Sequence, residues 1–167
     1  MSDRALESAL DAARTGGGLT IESTVAVDPP REFRVHPRDR AVAYTADVGG
    51  ARQLFTLSLR GTGTPPTQLT ASEQAISDPQ WSPDGRRLVF SGLANGVTDL
   101  YMIDADGRNL RQLTDDAFGD LQPSWSPDGR FVAFASERGP QSDLATLKFG
   151  EWQINLLDLE SNEVRVL

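Results

Sequence analysis

The chain of 167 residues contains no cysteine. Disulfide staples, thiolate metal sites and a cysteine nucleophile are thereby excluded. It has one histidine, His36, which rules out a zinc site built from paired histidines. No apolar run reaches the roughly 18 residues of a transmembrane helix, so no membrane insertion is expected. Lysine is almost missing: of 16 basic residues only Lys148 is lysine, and the rest are arginine. Against them stand 24 acidic residues, for a formal charge of −8. That balance argues against a nucleic-acid phosphate backbone as partner. Met1 to Leu10 carries Asp3 and Glu7 and has no apolar segment, so it does not read as a secretory signal. The expected compartment is the cytoplasm, or the periplasm if the true N-terminus is missing. No metal and no other cofactor is expected.

What the sequence does have is a repeat. Trp81-Ser82-Pro83-Asp84-Gly85-Arg86 recurs as Trp125-Ser126-Pro127-Asp128-Gly129-Arg130, an offset of 44. Gln68-Leu69-Thr70 recurs as Gln112-Leu113-Thr114 at the same offset of 44. A weaker copy, Val35-His36-Pro37-Arg38-Asp39-Arg40, lies 46 residues before Trp81. Each unit divides alike. A short strand such as Pro79 to Ser82 runs into Ser-Pro-Asp-Gly, whose proline pre-sets φ, whose aspartate bonds the backbone, and whose glycine supplies positive φ. A second strand alternates, as in Arg87 to Ser91 and Phe131 to Ala135. A Gly/Asn loop leads to a third strand, Asp99 to Asp104. The turn Ala105-Asp106-Gly107 leads to a fourth, Leu110 to Thr114. Four short strands repeating at this period mark a β-propeller blade.

The W-S-P-D-G-R turn, the Asp-Leu-Tyr-Met-Ile-Asp-Ala-Asp-Gly strand and turn, and the closing Gln-Leu-Thr resemble the WD40-like repeat of the TolB type. That repeat is shared with the propellers of S9 (prolyl oligopeptidase-like) serine peptidases. The resemblance spans about residues 31–167 and implies an all-β fold of three four-stranded antiparallel blades, an open or partial propeller. The blades are expected at 31–70, 78–114 and 121–167. The last carries about ten extra residues within Glu137 to Trp152. Ahead of them, residues 1–30 read as a short helix capped by Ser2, stopped by Gly16-Gly17-Gly18, and a strand over Leu19 to Val27. A family role in binding protein partners is implied, without catalysis. The alternative is the propeller part of an S9-type peptidase, which gates access to a separate hydrolase domain.

Catalytic signatures are missing. No Gly-x-Ser-x-Gly elbow occurs, and the lone candidate base, His36, sits in a turn. Asp104-Ala105-Asp106-Gly107 lacks the further ligands of an EF-hand loop and reads as the turn between third and fourth strands. Gly61-Thr62-Gly63-Thr64-Pro65-Pro66 is a loop without the helix start that a phosphate cradle needs. Trp81, Ser82, Pro83, Asp84 and Gly85, with Trp125, Ser126, Pro127, Asp128 and Gly129, are expected to be structural turn and blade-packing residues. Trp152 has no counterpart and fits core or surface. In a meander, the loop between second and third strands and the connection between blades emerge at one end. Asp115, Asp116, Asp120, Lys148 and Phe149 would meet there. Residues 99–128 hold seven acids and two arginines, whereas 31–70 hold three acids and six arginines. An acidic face for a protein or peptide partner is therefore expected.

Closed propellers hold about 4–8 blades. Three leave two blade faces without neighbours, which are sites of association. The chain is therefore expected to be a piece of a longer propeller, or to pair with a second copy into a six-bladed ring. The third option is an open arc, capped by its N-terminal helix and strand.

Overall fold

A computed structural model describes residues 30–167, apart from Thr62, Leu144 and Leu147. The expected N-terminal helix and the strand over Leu19 to Val27 lie outside the described residues. The described part is all-β, with twelve strands and no helix.

Blade 1 consists of β1 (Arg31–Val35), β2 (Ala41–Val48), β3 (Ala51–Ser58) and β4 (Thr67–Gln68). Blade 2 consists of β5 (Ala75–Trp81), β6 (Arg87–Ala94), β7 (Val97–Asp104) and β8 (Arg111–Gln112). Blade 3 consists of β9 (Asp120–Trp125), β10 (Phe131–Ser136), β11 (Gln153–Asp158) and β12 (Val164–Val166). Each is a separate antiparallel meander in sequence order, and no sheet closes on itself.

In blade 2 the second and third strands are longer than expected because their connection is tight, as it is in blade 1. Gly49-Gly50 (φ 63° and 89°) and Asn95-Gly96 (φ 53° and 86°) both use the left-handed region. Such two-residue turns match the twist of the flanking strands, so pairing runs to the very tip. The fourth strands are shorter: β8 pairs through only Arg111 and Gln112 instead of Leu110 to Thr114. Thr114 leaves the ladder because its hydroxyl accepts the Leu100 amide at 2.9 Å.

The first strands start earlier than the Trp-Ser motif indicates. Each contains a register shift, between Arg31 and Arg34, between Ser77 and Gln80, and opposite Ala133 to Ala135. The left-handed residue of each bulge is Glu32, Asp78 or Gln122, all at φ 54°. In blades 2 and 3 a proline follows it (Pro79, Pro123), at a site where no ladder hydrogen bond is lost. The Glu32 carboxylate ties two bulges together, accepting the Asp78 amide at 3.2 Å and the Thr45 hydroxyl at 2.8 Å.

Blades pack face to face, so a central strand is apolar on both sides. In β6, Leu88 and Phe90 join Ile76, Tyr101 and Ile103 of the same blade against Ala43, Leu54 and Leu69 of blade 1. Val89 and Leu100 point the other way, against Val132, Phe134 and Leu157 of blade 3. Full burial of such a side chain contributes about 1.5–3 kcal/mol. The same two joins are fastened by tryptophan. The Trp81 indole N–H donates to the Arg34 carbonyl at 3.0 Å, and Trp125 to the Gln80 carbonyl at 3.1 Å. The Arg87 guanidinium lies 5.3 Å from the Trp125 ring centre. Trp125→Phe keeps the apolar contact and removes the bond. It is expected to cost about 1 kcal/mol, seen as a fall of roughly 2–4 °C in the thermal midpoint. An unchanged midpoint would show that the indole bond contributes nothing.

Candidate functional site

The two ends of the stack differ in chemistry. One carries the turns between first and second strands. The Ser82 hydroxyl donates to Asp84 Oδ1 at 2.6 Å and accepts the Arg87 amide at 3.0 Å. Asp84 Oδ1 also accepts the Arg86 amide at 3.0 Å, and the Gly85 amide donates to the Ser82 carbonyl at 2.8 Å. Blade 3 repeats this with Ser126 to Asp128 at 2.5 Å, Phe131 to Ser126 at 2.9 Å and Arg130 to Asp128 at 3.0 Å. Both aspartates are consumed by their turns. The serine hydroxyl first, then the amide two residues on, holds each carboxyl below the usual carboxylate range.

Blade 1 has His36 in place of the serine. Its Nδ1 accepts the Arg38 and Asp39 amides at 3.1 and 2.8 Å. Nδ1 is therefore unprotonated, and the proton on Nε2 donates to the Gly85 carbonyl at 3.0 Å. The ring meets Trp81 edge-on, 4.7 Å between centres. His36 thus caps its own turn and clasps the turn of blade 2. Pro83 and Gly85 sit at these contacts between turns, with Pro83 Cδ 3.8 Å from the Cβ position of Gly129. Pro127 occupies the same turn position in blade 3.

The opposite end carries the acidic connection between blades 2 and 3, together with residues 137–152. The two are locked to each other. Arg138, 13% exposed, reaches Asp116 Oδ2 at 2.8 Å and Asp120 Oδ2 at 2.6 Å. Its guanidinium lies 5.3 Å from the Phe134 ring centre and 5.9 Å from that of Phe118. Asp116 Oδ1 accepts the Phe118 amide at 2.9 Å. Trp152 lies over Gly119, whose Cβ position is 3.4 Å from its ring. Residues 137–152 fold on themselves: Asp143 and Lys148 exchange backbone hydrogen bonds of 2.7 and 3.0 Å. Ser142 donates to the Glu137 carbonyl and accepts the Gly150 amide.

Of the residues expected on this face, Asp115, Asp116, Lys148 and Phe149 are exposed. Asp120 is a correction: it is 0% exposed and cannot meet a partner. Burial, more than any neighbouring charge, pushes its carboxyl above the usual range, and one oxygen, Oδ1, is buried without a hydrogen-bond partner. Asp99 is also pushed up, by burial first and then by the charges of Asp120, Asp116 and Asp115. The two residue types give opposite pH signs. Groups held low, such as Asp84, stabilise above the ordinary aspartate value, and that stability is lost as pH falls through the lowered value. Groups pushed high, Asp99 and Asp120, favour folding below the ordinary value and lose that contribution as pH rises through the raised one. Asp84→Asn should therefore flatten the acid limb of a stability–pH curve. Asp99→Asn should raise stability at neutral pH relative to acid. Urea titrations from pH 3 to pH 7 would read both, and unchanged slopes would reject them.

Arg138, Phe118 and the His36–Gly85 clasp do not stand out in the sequence. Aligning the repeats places Asp120 and Ser136 where blade 2 has Ile76 and Gly92. That switch from apolar to polar was the available signal. Among the described residues, no group of three or more His, Asp or Glu side chains is placed to hold a metal ion. Among them no helix is long and apolar enough to cross a membrane.

Residues 34–164 match the family model of the TolB beta propeller domain. The chain is 33% identical over 77 residues to the Tol-Pal system protein TolB of Syntrophus aciditrophicus, covering 45% of this chain and 17% of that protein. The solved structure of TolB from Acinetobacter baumannii superposes with a TM-score of 0.66 at 25% identity, over 84% of this chain and 32% of that one. Puromycin hydrolase shares the fold at a TM-score of 0.65 and 21% identity, over 87% of this chain and 24% of its own. The chain thus spans well under half of each relative. With its three meanders joined through the repeated tryptophan bond, and with this match across most of its length, the chain belongs to the TolB β-propeller family.

Proposed function

We propose that the chain is a non-catalytic protein-binding module, and that its contact surface is the end formed by Asp115, Asp116, Lys148, Phe149 and Trp152. The observation that carries this reading is the anchored insertion. Arg138 and Trp152 fix residues 137–152 against the acidic connection, while Phe149 and Trp152 remain 44% and 49% exposed. Exposed aromatics on a fixed support, rimmed by carboxylates, favour a protein or peptide that offers apolar and cationic groups. Lys148 and Arg138 rank behind them, the first as a rim charge and the second as a support. The name of the Tol-Pal relative makes Pal from the same organism the first partner to test. Titration followed by Trp152 fluorescence should show saturable binding. Asp115→Asn with Asp116→Asn should weaken it about tenfold, for a loss of about 1.4 kcal/mol. Equal binding by the double variant would reject this face.

A second reading has support from the fold shared with puromycin hydrolase: the chain is the propeller portion of an S9-type peptidase and controls access to a separate hydrolase domain. Under either reading the chain itself turns nothing over. Its one imidazole, His36, is committed through both nitrogens to backbone groups. Hydrolysis of chromogenic peptide substrates by the purified chain would overturn the non-catalytic assignment.

A further inference from the structure

The two joins between blades differ at one buried position. Gln53 and Asp99, 3% and 6% exposed, each precede a leucine whose amide donates to a threonine hydroxyl, Leu54 to Thr70 and Leu100 to Thr114, both at 2.9 Å. In the first join the Gln53 amide bonds in both directions. Its oxygen accepts the Thr70 hydroxyl at 2.9 Å and the Ser72 amide at 3.2 Å. Its nitrogen donates to the Ser72 carbonyl at 2.7 Å and the Gln74 carbonyl at 3.4 Å, which fastens the connection between blades 1 and 2 to β3. An ionised Asp99 keeps only the accepting half. It takes the Thr114 hydroxyl at 3.4 Å and the Gln112 side-chain amide at 3.1 Å, and has no proton to offer the connection after blade 2. A carboxyl that holds a proton regains a donor.

The same cluster has an acceptor to spare. Asp120 is wholly buried; its Oδ2 takes Arg138, and its Oδ1 has no partner. The Thr114 hydroxyl faces both carboxyls but carries one proton. The charged and titratable groups around the pair come from every neighbouring segment. Asp115 and Asp116 stand on the connection, Arg138 on residues 137–152, and Tyr101, a phenol that burial keeps neutral, on β7. With Asp99 ionised, four carboxylates would face one guanidinium.

We propose that Asp99 holds a proton, donated to Asp120 Oδ1, which latches residues 115–120 to blade 2, and that loss of this proton as pH rises loosens them. Arg138 then loses its fixed seat on Asp116 and Asp120, and residues 137–152 are released with it. The contact surface is thus ordered on the acid side and loosened toward alkaline pH. Burial and like charge both favour the neutral acid, which sets this sign. As regulation of the contact surface, the latch rests on the function proposed above; as a property of the free chain, it does not.

Hydrogen exchange of the free chain is the test. Amides of residues 115–120 and 137–152 should be at least about fivefold less protected at about pH 8 than at about pH 5.5, after correction for intrinsic exchange, with β2 and β3 as the reference. Asp99→Gln installs the donor that Gln53 has, at every pH, and should remove the difference. His36 stays in place in that variant, so any contribution of its own titration would persist. No pH dependence at these amides, or one that survives Asp99→Gln, overturns the proposal. A second measurement needs no variant. The Asp99 carboxyl carbon, followed by NMR in the native chain, should titrate over the range in which protection falls, and titration in a different range overturns the latch. Affinity for Pal, read by Trp152 fluorescence, should fall by a similar factor from about pH 5.5 to about pH 8. A pH-dependent exchange without Pal binding would remove the contact-surface reading and keep the latch. Binding that follows pH with exchange unchanged would overturn the latch and keep the surface.

Discussion

Gly85→Ala should lower the thermal midpoint by roughly 6–12 °C, for a cost of about 3 kcal/mol. Two effects add. Gly85 has φ +74°, where a Cβ is strained by about 1 kcal/mol. The added Cβ would also lie 2.2 Å from His36 Cε1 and 2.3 Å from Nε2. The ring has no easy retreat. Nδ1 is held by two amides and one edge rests on Trp81, so moving it breaks the bond from Nε2 to the Gly85 carbonyl. Gly129 separates the two effects. Its φ is +72°, but its nearest neighbour, Pro83 Cδ, is 3.8 Å away. Gly129→Ala should cost only the backbone strain, about 1 kcal/mol. In a His36→Ala background the cost of Gly85→Ala should fall to that same value. Chemical denaturation of the four variants reads the coupling. Equal costs at Gly85 and Gly129 would show that the clasp is not rigid.

Arg138→Met should destabilise by about 3–5 kcal/mol at neutral pH, because it strands a buried carboxylate. Asp120 lies wholly out of solvent, and Arg138 supplies its cation at 2.6 Å. Without the guanidinium the carboxyl is pushed higher still, since burial already dominates it. The loss should therefore be largest at pH 7 and shrink as pH falls and Asp120 takes up a proton. Blade 2 shows the apolar solution at the same position, Ile76, which is 1% exposed. Asp120→Ile combined with Arg138→Met should thus recover most of the stability. The double variant would still lose the anchor of residues 137–152, because Asp116 would have no guanidinium. Stable folding with weakened partner binding is its expected signature. A double variant as unstable as Arg138→Met would mean that the pair does more than satisfy its own charges.

Much of the fold was legible in residues 31–167. The Trp-Ser-Pro-Asp-Gly and Gln-Leu-Thr repeats mark turn and closing strand, which have local causes: fixed φ at proline, positive φ at glycine, a serine and an aspartate bonding nearby amides. The continuous apolar runs Leu88-Val89-Phe90 and Phe131-Val132-Ala133 mark strands apolar on both faces. Strand ends were less legible. Asp78-Pro79 and Gln122-Pro123 look like breaks, yet a bulge carries each strand past them because the proline sits where no ladder bond is needed. The acidic connection also reads as one solvated patch, since nothing local distinguishes Asp120 from Asp115 and Asp116.

The sequence by itself determined the unit: four strands, a tight turn and a period, all dictated by interactions within a few residues. The tertiary structure alone decided how units meet and what their polar residues do there. It turned His36 from a turn residue into a clasp on Gly85 and withdrew Asp120 from the surface to pair with Arg138. Those outcomes depend on groups brought together from tens of residues apart. Burial and a partner's position, not the identity of the side chain, decide whether a carboxylate is surface charge or structural anchor.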